Sequence, residues 1–259
     1  MSTPSSRQYS VASADAEGFA KMAELLSADV LVDLEGLTGV PADRSVLIAA
    51  RSSRLGDREL RLLADFVSRG GTLVAYGGNE YVESLARGLG ITVTTGGHVY
   101  DAVFNAGSRE LVRVELNGST CALSVYLRAP RAIQLAGTRG NASPIAFTSP
   151  LSYVDRSGNG FYDVGEFVGS SLVGLEVPVG RGVAVVLFAD GFLENHLVEH
   201  NREFANCVSS GRLVLVDNSE FSGDLAELLK LAVRSTQTRT YVLASLLLLA
   251  AVSYYVLKE

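Results

Sequence analysis

Apolar residues in the first third of the chain alternate between helical spacing and short continuous runs. Phe19, Met22, Ala23, Leu25 and Leu26 recur as one helix face, and the apolar runs 30–34 and 46–50 read as strands. Asp57 is placed to cap a helix whose face carries Leu60, Leu63, Phe66 and Val67. Gly70 and Gly71 end it, and a strand follows over 72–76. A helix over about 80–88 then leads into a run at 91–94. Helix and strand in alternation predict a parallel sheet. Residues 1–16, rich in serine, are expected as a flexible lead-in.

The period changes to two between about 111 and 147, through Val112, Val114 and Leu116, then Leu123, Val125 and Leu127, then Ile133 and Leu135. These positions predict antiparallel strands added to the parallel sheet as an insertion over about 103–180. Alternation resumes with a continuous apolar strand from Gly182 to Asp190, a helix over about 193–208 and a last strand over 213–216 that ends at Asp217. The α/β domain is thus expected over 17–222, with a juxtamembrane helix over 223–239.

Residues 241–257 read YVLASLLLLAAVSYYVL, without charge, proline or glycine. At about 1.5 Å per residue such a helix reaches roughly 26 Å, near the lower limit for a membrane span. A transmembrane helix is therefore expected over 240–257, with Tyr241, Tyr254 and Tyr255 near its ends. Lys230, Arg234 and Arg239 precede it and Lys258 follows, a balance that places the globular part in the cytoplasm. The N-terminus has no apolar core of a signal peptide.

Composition narrows the partners. A formal charge of -6 argues against a general binder of phosphate backbones, so nucleic acid is not expected. The two cysteines, Cys121 and Cys207, have no metal-site spacing. They read either as buried small hydrophobes, the favoured choice, or as one disulfide.

The segments QYSVASADAEGFAKMAELLS at 8–27, FVSRGGTLVAYGG at 66–78 and GRGVAVVLFADGFLENHLVEHNREFANCV at 180–208 resemble a prokaryotic membrane family of unknown function. Its domain is similar to class I glutamine amidotransferases and to the soluble part of gliding-type ABC transport components. The resemblance implies an α/β fold with a flavodoxin-like or Rossmann-like, mostly parallel sheet, usually outside the cytoplasm, in chains that often accompany MoxR-type ATPases. The expected partners are the lipid bilayer and proteins of a membrane complex.

An amidotransferase needs a cysteine on a tight strand-to-helix turn, activated by a histidine. The turn after the 72–76 strand reads Gly77-Gly78-Asn79-Glu80, without cysteine. His196, Glu199 and His200 spell HxxEH, which on a helix would align two imidazoles for zinc; a solvated helix face is the favoured reading. His98 reads as a lone loop histidine. Asp190, Asn195, Asn201 and Asp217 follow or flank strand ends where open α/β sheets leave a crevice for ligand.

The sharpest chemical pattern is DRSGNGFYDVGE at 155–166. Asp155, Ser157, Asn159, the carbonyl of Phe161, Asp163 and Glu166 supply hard oxygens at positions 1, 3, 5, 7, 9 and 12 of a calcium loop, with Gly160 at the sharp turn. Pro150 rules out a long entering helix, so a calcium-stapled loop is expected rather than a sensor that opens. Such loops bind calcium weakly, on the order of 0.1–1 mM, which suits an external domain and would leave Asn117-Gly118-Ser119 available as a glycosylation sequon. Together these features predict a single-pass, membrane-anchored, non-catalytic binding or scaffolding domain facing outward. The alternative is a tethered amidotransferase-like or hydrolytic enzyme using Cys121 or His196.

Overall fold

The computed structural model describes residues 8–138 and 142–224. Its elements run α1 (Ala20–Leu25), β1 (Asp29–Leu31), β2 (Ser45–Arg51), α2 (Asp57–Ser68), β3 (Thr72–Gly77), α3 (Asn79–Gly88), β4 (Ile91–Asp101), β5 (Leu111–Asn117) and β6 (Ala122–Thr138). They continue with β7 (Ser143–Thr148), β8 (Ser152–Asp155), β9 (Leu172–Val179), β10 (Gly182–Leu187), β11 (Ala189–Gly191), α4 (Arg202–Ser209) and β12 (Leu213–Asp217). One twelve-stranded sheet runs in the order β1-β12-β2-β3-β10-β9-β7-β5-β6-β4-β8, with β11 paired to β6.

Strands β1, β12, β2, β3 and β10 are parallel neighbours, and every pairing beyond β10 is antiparallel. This corrects the expected flavodoxin-like, mostly parallel sheet, because antiparallel pairing predominates and the sheet is mixed. The period-two segments do not stand apart from the parallel strands. They extend the same sheet through the β9–β10 hairpin, where Val179 pairs with Gly182.

The parallel half is buried on both faces, which is why its strands read as continuous apolar runs. Successive side chains of β2 point to opposite faces. Val46, Ile48 and Ala50 join a core with Phe19 and Met22 near α1 and Phe204 and Val208 of α4. Leu47 and Ala49 join Leu63, Phe66 and Val67 of α2 and Tyr81, Val82 and Leu85 of α3. In the antiparallel half, β5 buries Val112, Val114 and Leu116 and exposes Arg113, Glu115 and Asn117 on its other face.

Two ties cross the sequence. Arg51, at the end of β2, pairs through Nε with Asp217 at 2.7 Å and through Nη1 with Glu59 at 2.6 Å. Burial works against the Arg51 charge, but the Asp217 carboxylate outweighs it and raises the guanidinium above its ordinary value. Cys121 and Cys207 form a disulfide that joins the start of β6 to α4 across 86 residues.

The helix expected over 193–208 is shorter, and residues 192–201 form turns before α4. Asn195 and Asn201 give their side chains to distant backbone groups, which competes with regular helix. Residues 8–16 are not loose, since Tyr9, Ser10 and Val11 are buried. The expected span at 240–257 and the juxtamembrane helix from 225 onward lie outside the described residues. Among the described residues no helix is long and apolar enough to cross a membrane. The expectation of a single-pass, outward-facing membrane protein thus has no support among the described residues.

A disulfide stabilises chiefly by restricting the unfolded chain, and a long closed loop is expected to contribute about 2–4 kcal/mol. The double substitution Cys121→Ser and Cys207→Ser is expected to lower the unfolding free energy from urea titration by that amount, with a lower urea midpoint, and reductant to lower the midpoint for the parent chain alone. Equal midpoints for parent and double variant would show that the bond adds nothing to stability.

Candidate functional site

The crevice at the C-terminal edge of the parallel strands is filled by the chain itself. Residues 8–19 form a strap across it. Tyr9 and Phe19 pack with Tyr76 of β3, at centroid distances of 6.1 Å each, and Tyr76 meets Phe192 at 5.6 Å. The strap backbone is held by two asparagines. Asn218 Oδ1 accepts the Val11 amide at 3.0 Å, while Asn195 donates to the carbonyls of Ser13 and Asp15 and accepts the Lys21 amide at 2.7 Å. Tyr9 adopts φ 67°, a left-handed conformation unusual for a tyrosine, and donates its hydroxyl to the Asp190 carbonyl at 2.6 Å.

The residues expected to receive a ligand there already have partners within the fold. Asp190 pairs with Arg131 at 2.7 Å. Asn201 bridges the Tyr126 and Phe192 backbones, Asn195 ties the strap, and Asp217 holds Arg51. His196 meets the Ala16 carbonyl at 2.7 Å, and the His200 ring packs against Tyr126. Neither lies on a regular helix, so HxxEH does not present two imidazoles on one helix face. His98 belongs to β4 rather than to a loop. With Cys121 and Cys207 joined, neither offers a thiolate.

Sequence reasoning missed Glu194, whose side chain is fully buried beneath the strap. Its Oε2 accepts the Phe192 amide at 2.6 Å, and its Oε1 lies 3.7 Å from Arg128 without a hydrogen bond. Burial raises its carboxyl to about 7, against the opposing pull of Arg128 and of backbone amides. The pattern Gly-Phe-Leu-Glu gave no signal, because the burial comes from β6 and the strap, which are distant in sequence.

The calcium-loop residues lie together at the end of β8. Asp155 accepts the Gly158 amide at 2.7 Å, the Gly160 amide at 2.5 Å and the Ser157 hydroxyl at 3.0 Å. Burial alone would raise its carboxyl, but these donors outweigh it and hold it below the usual carboxylate value. Gly160 has φ 75°, the turn that brings position 6 back onto position 1. Asn159 donates to Asp163 at 2.9 Å, and Glu166 accepts the amides of Arg156 at 2.8 Å and Asp163 at 3.0 Å.

Most of the exposed large hydrophobic residues flank this region, including Val103, Phe104, Phe147, Leu151, Phe161, Tyr162, Val164, Phe167 and Val168. Two clefts open among them. One, of about 370 Å³, lies between Phe104, Phe147 and Pro150 and includes Arg113 and Glu115, which pair with each other at 3.1 Å. The other, of about 450 Å³, lies between β4, β6 and residues 167–171.

No protein-family model matches the chain, and no curated protein does. Among solved structures it is similar to the mmIFT52 N-terminal domain at 15% identity, covering 68% of this chain and 78% of that one with a TM-score of 0.47. It is similar to a β-galactosidase from Bacillus circulans sp. alkalophilus at 13% identity, covering 65% of this chain and 23% of that one, with a TM-score of 0.39. It is also similar to α-L-fucosidase isoenzyme 2 from Paenibacillus thiaminolyticus at 15% identity, covering 86% and 31% respectively, with a TM-score of 0.39. The chain thus spans under a third of either glycosidase, and likenesses this distant assign no activity. With no family model matching and no amidotransferase or gliding-type transport component among these structures, the expected resemblance to that membrane family is withdrawn. The membrane-anchored scaffold and the tethered amidotransferase read from it are withdrawn as well.

The raised Glu194 carboxyl makes a prediction with a definite sign. Its folded value lies above its unfolded one, so the stability it contributes is full below about pH 4.5 and is lost as pH rises through about 7. Glu194→Gln is expected to gain on the parent chain by up to about 3 kcal/mol between pH 4.5 and 8 in denaturant titrations. A difference that does not change with pH would contradict the buried, proton-holding carboxyl.

Proposed function

We propose that this chain is a calcium-binding protein that holds the ion in the loop at 155–166. The observation that supports this most strongly is the folding of the loop onto its first carboxylate, where Asp155 receives the amides of Gly158 and Gly160 while Gly160 turns with φ 75°. A sharp glycine turn at position 6 is what a twelve-residue calcium loop requires. Asp155, Ser157, Asn159, the Phe161 carbonyl, Asp163 and Glu166 make an all-oxygen donor set suited to a hard cation.

Among the described residues no three carboxylate, histidine or cysteine side chains stand close enough as they are to hold a metal ion. Binding therefore turns Asp163 and Glu166 inward from their contacts with Asn159 and with the Arg156 and Asp163 amides. The rearrangement costs affinity, which places binding in the weak range of extracellular calcium modules. The role is one of binding rather than catalysis. An ordered loop would fix Phe161, Tyr162 and Val164, exposed side chains within it, in one arrangement.

Calorimetry on chelator-treated protein is expected to show one calcium site with a dissociation constant on the order of 0.1–1 mM. Asp155→Asn and Glu166→Gln should each weaken it about tenfold or more, read as the calcium-dependent rise in thermal midpoint over each variant's own ion-free protein, since both carboxylates also accept backbone amides in the ion-free loop. Absence of heat, of a stability gain and of protection of the loop from protease at millimolar calcium would overturn the assignment.

A further inference from the structure

The cleft of about 450 Å³ differs from its neighbour in how its polar groups are engaged. Among the described residues Arg156 is the only charged side chain lining it, in a chain whose formal charge is -6. The side chains of Thr94, Gln134 and Arg156 have no hydrogen bond or ion pair among the described residues. In the other cleft, by contrast, Arg113 is already committed to Glu115 and Ser124.

The strands create this cleft by an irregularity. Strand β4 pairs with β6 up to His98 and with β8 from His98 onward, and its register with β6 shifts between Thr95 and His98. On the side away from β6, residues 94–97 thus have no strand partner, and bulges of this kind commonly re-aim side chains beside binding sites. Gly97 passes so close to Asp155 that a Cβ there would lie 1.9 Å from its carbonyl oxygen. A side chain at position 97 is thereby excluded from the cleft, and Phe167 lines it with about half of its surface exposed.

We infer that this cleft binds a small hydroxylated carboxylic acid of about one sugar ring, a uronic-acid-like ligand. The Arg156 fork meets the carboxylate through paired N–H donors, geometry that a guanidinium supplies and a point charge does not. Gln134, Thr94 and the Ser171 hydroxyl offer both donors and acceptors, and the Ser170 hydroxyl, which donates to the Thr148 carbonyl at 2.7 Å, offers an acceptor; a purely apolar acid would leave them dehydrated and unpaired. Phe167 gives the ring an apolar face. The volume falls within the range of small-molecule sites, about 300–1,000 Å³. The inference goes beyond calcium binding and does not depend on it.

The test is chemical-shift titration of the full chain with galacturonate, galactose and inorganic phosphate in parallel. Galacturonate is expected to shift the amides of residues 94–97, 134, 156 and 167 and to bind at least about tenfold more tightly than either of the others. Arg156→Gln should remove that preference, and Phe167→Ala should weaken galacturonate, with thermal midpoints unchanged because both side chains are exposed. Equal binding of galactose and galacturonate, tighter binding of phosphate, shifts mapping elsewhere, or an Arg156→Gln variant that binds as the parent chain does would each overturn it.

Discussion

Tyr9 and Phe19 enter the crevice at the C-terminal edge of the parallel strands, and the placement of the remaining functional surface depends on that insertion. An open α/β sheet ordinarily leaves this edge for ligand. Here it is closed by an aromatic cluster in which Tyr9 and Phe19 lie 5.7 Å apart and Phe192 meets Phe204 at 4.7 Å. The strap that carries them has no regular helix or strand before Ala20; it closes on itself through the Tyr9–Glu17 and Phe19–Ser10 backbone hydrogen bonds, and other groups of its backbone take partners from Asn195 and Asn218. A carboxylate, Glu194, is caught beneath the same strap, with Arg128 as its counter-charge.

With that edge sealed, chemistry moves to the other end of the sheet. Helices cover both faces of the parallel half, whereas β5 leaves one face of the antiparallel half to solvent. The 155–166 loop, both clefts and most exposed aromatic side chains lie in that uncovered half. The β9–β10 hairpin is the seam, since β10 pairs in parallel with β3 and antiparallel with β9. The two halves share one hydrogen-bonded sheet, and the rigid parallel half supports the irregular one.

Most individual strands and the helices α2 and α3 were legible, because apolar runs and amphipathic faces are local signals. The organisation of the sheet was not. Period two at Val112, Val114 and Leu116 identifies strands to be added to the sheet, but not that antiparallel pairing would outnumber parallel pairing in it. The strap was missed because serine-rich composition resembles a loose terminus, and its fixing partners Asn195 and Asn218 lie about two hundred residues away. At 155–166 the glycine turn was legible, and Gly160 adopts φ 75°. The cleft beside Arg156 was illegible, since it arises from the register shift in β4 and not from any motif.

Hydrogen exchange at the strap amides tests the central claim most directly. The amides of Tyr9, Val11 and Phe19 donate to Glu17, Asn218 and Ser10 within a buried cluster. They should therefore exchange nearly as slowly as the amides of β3. Exchange at the rate of an unfolded peptide would mean that the strap does not close the crevice, and the assignment of binding to the antiparallel half would lose its basis.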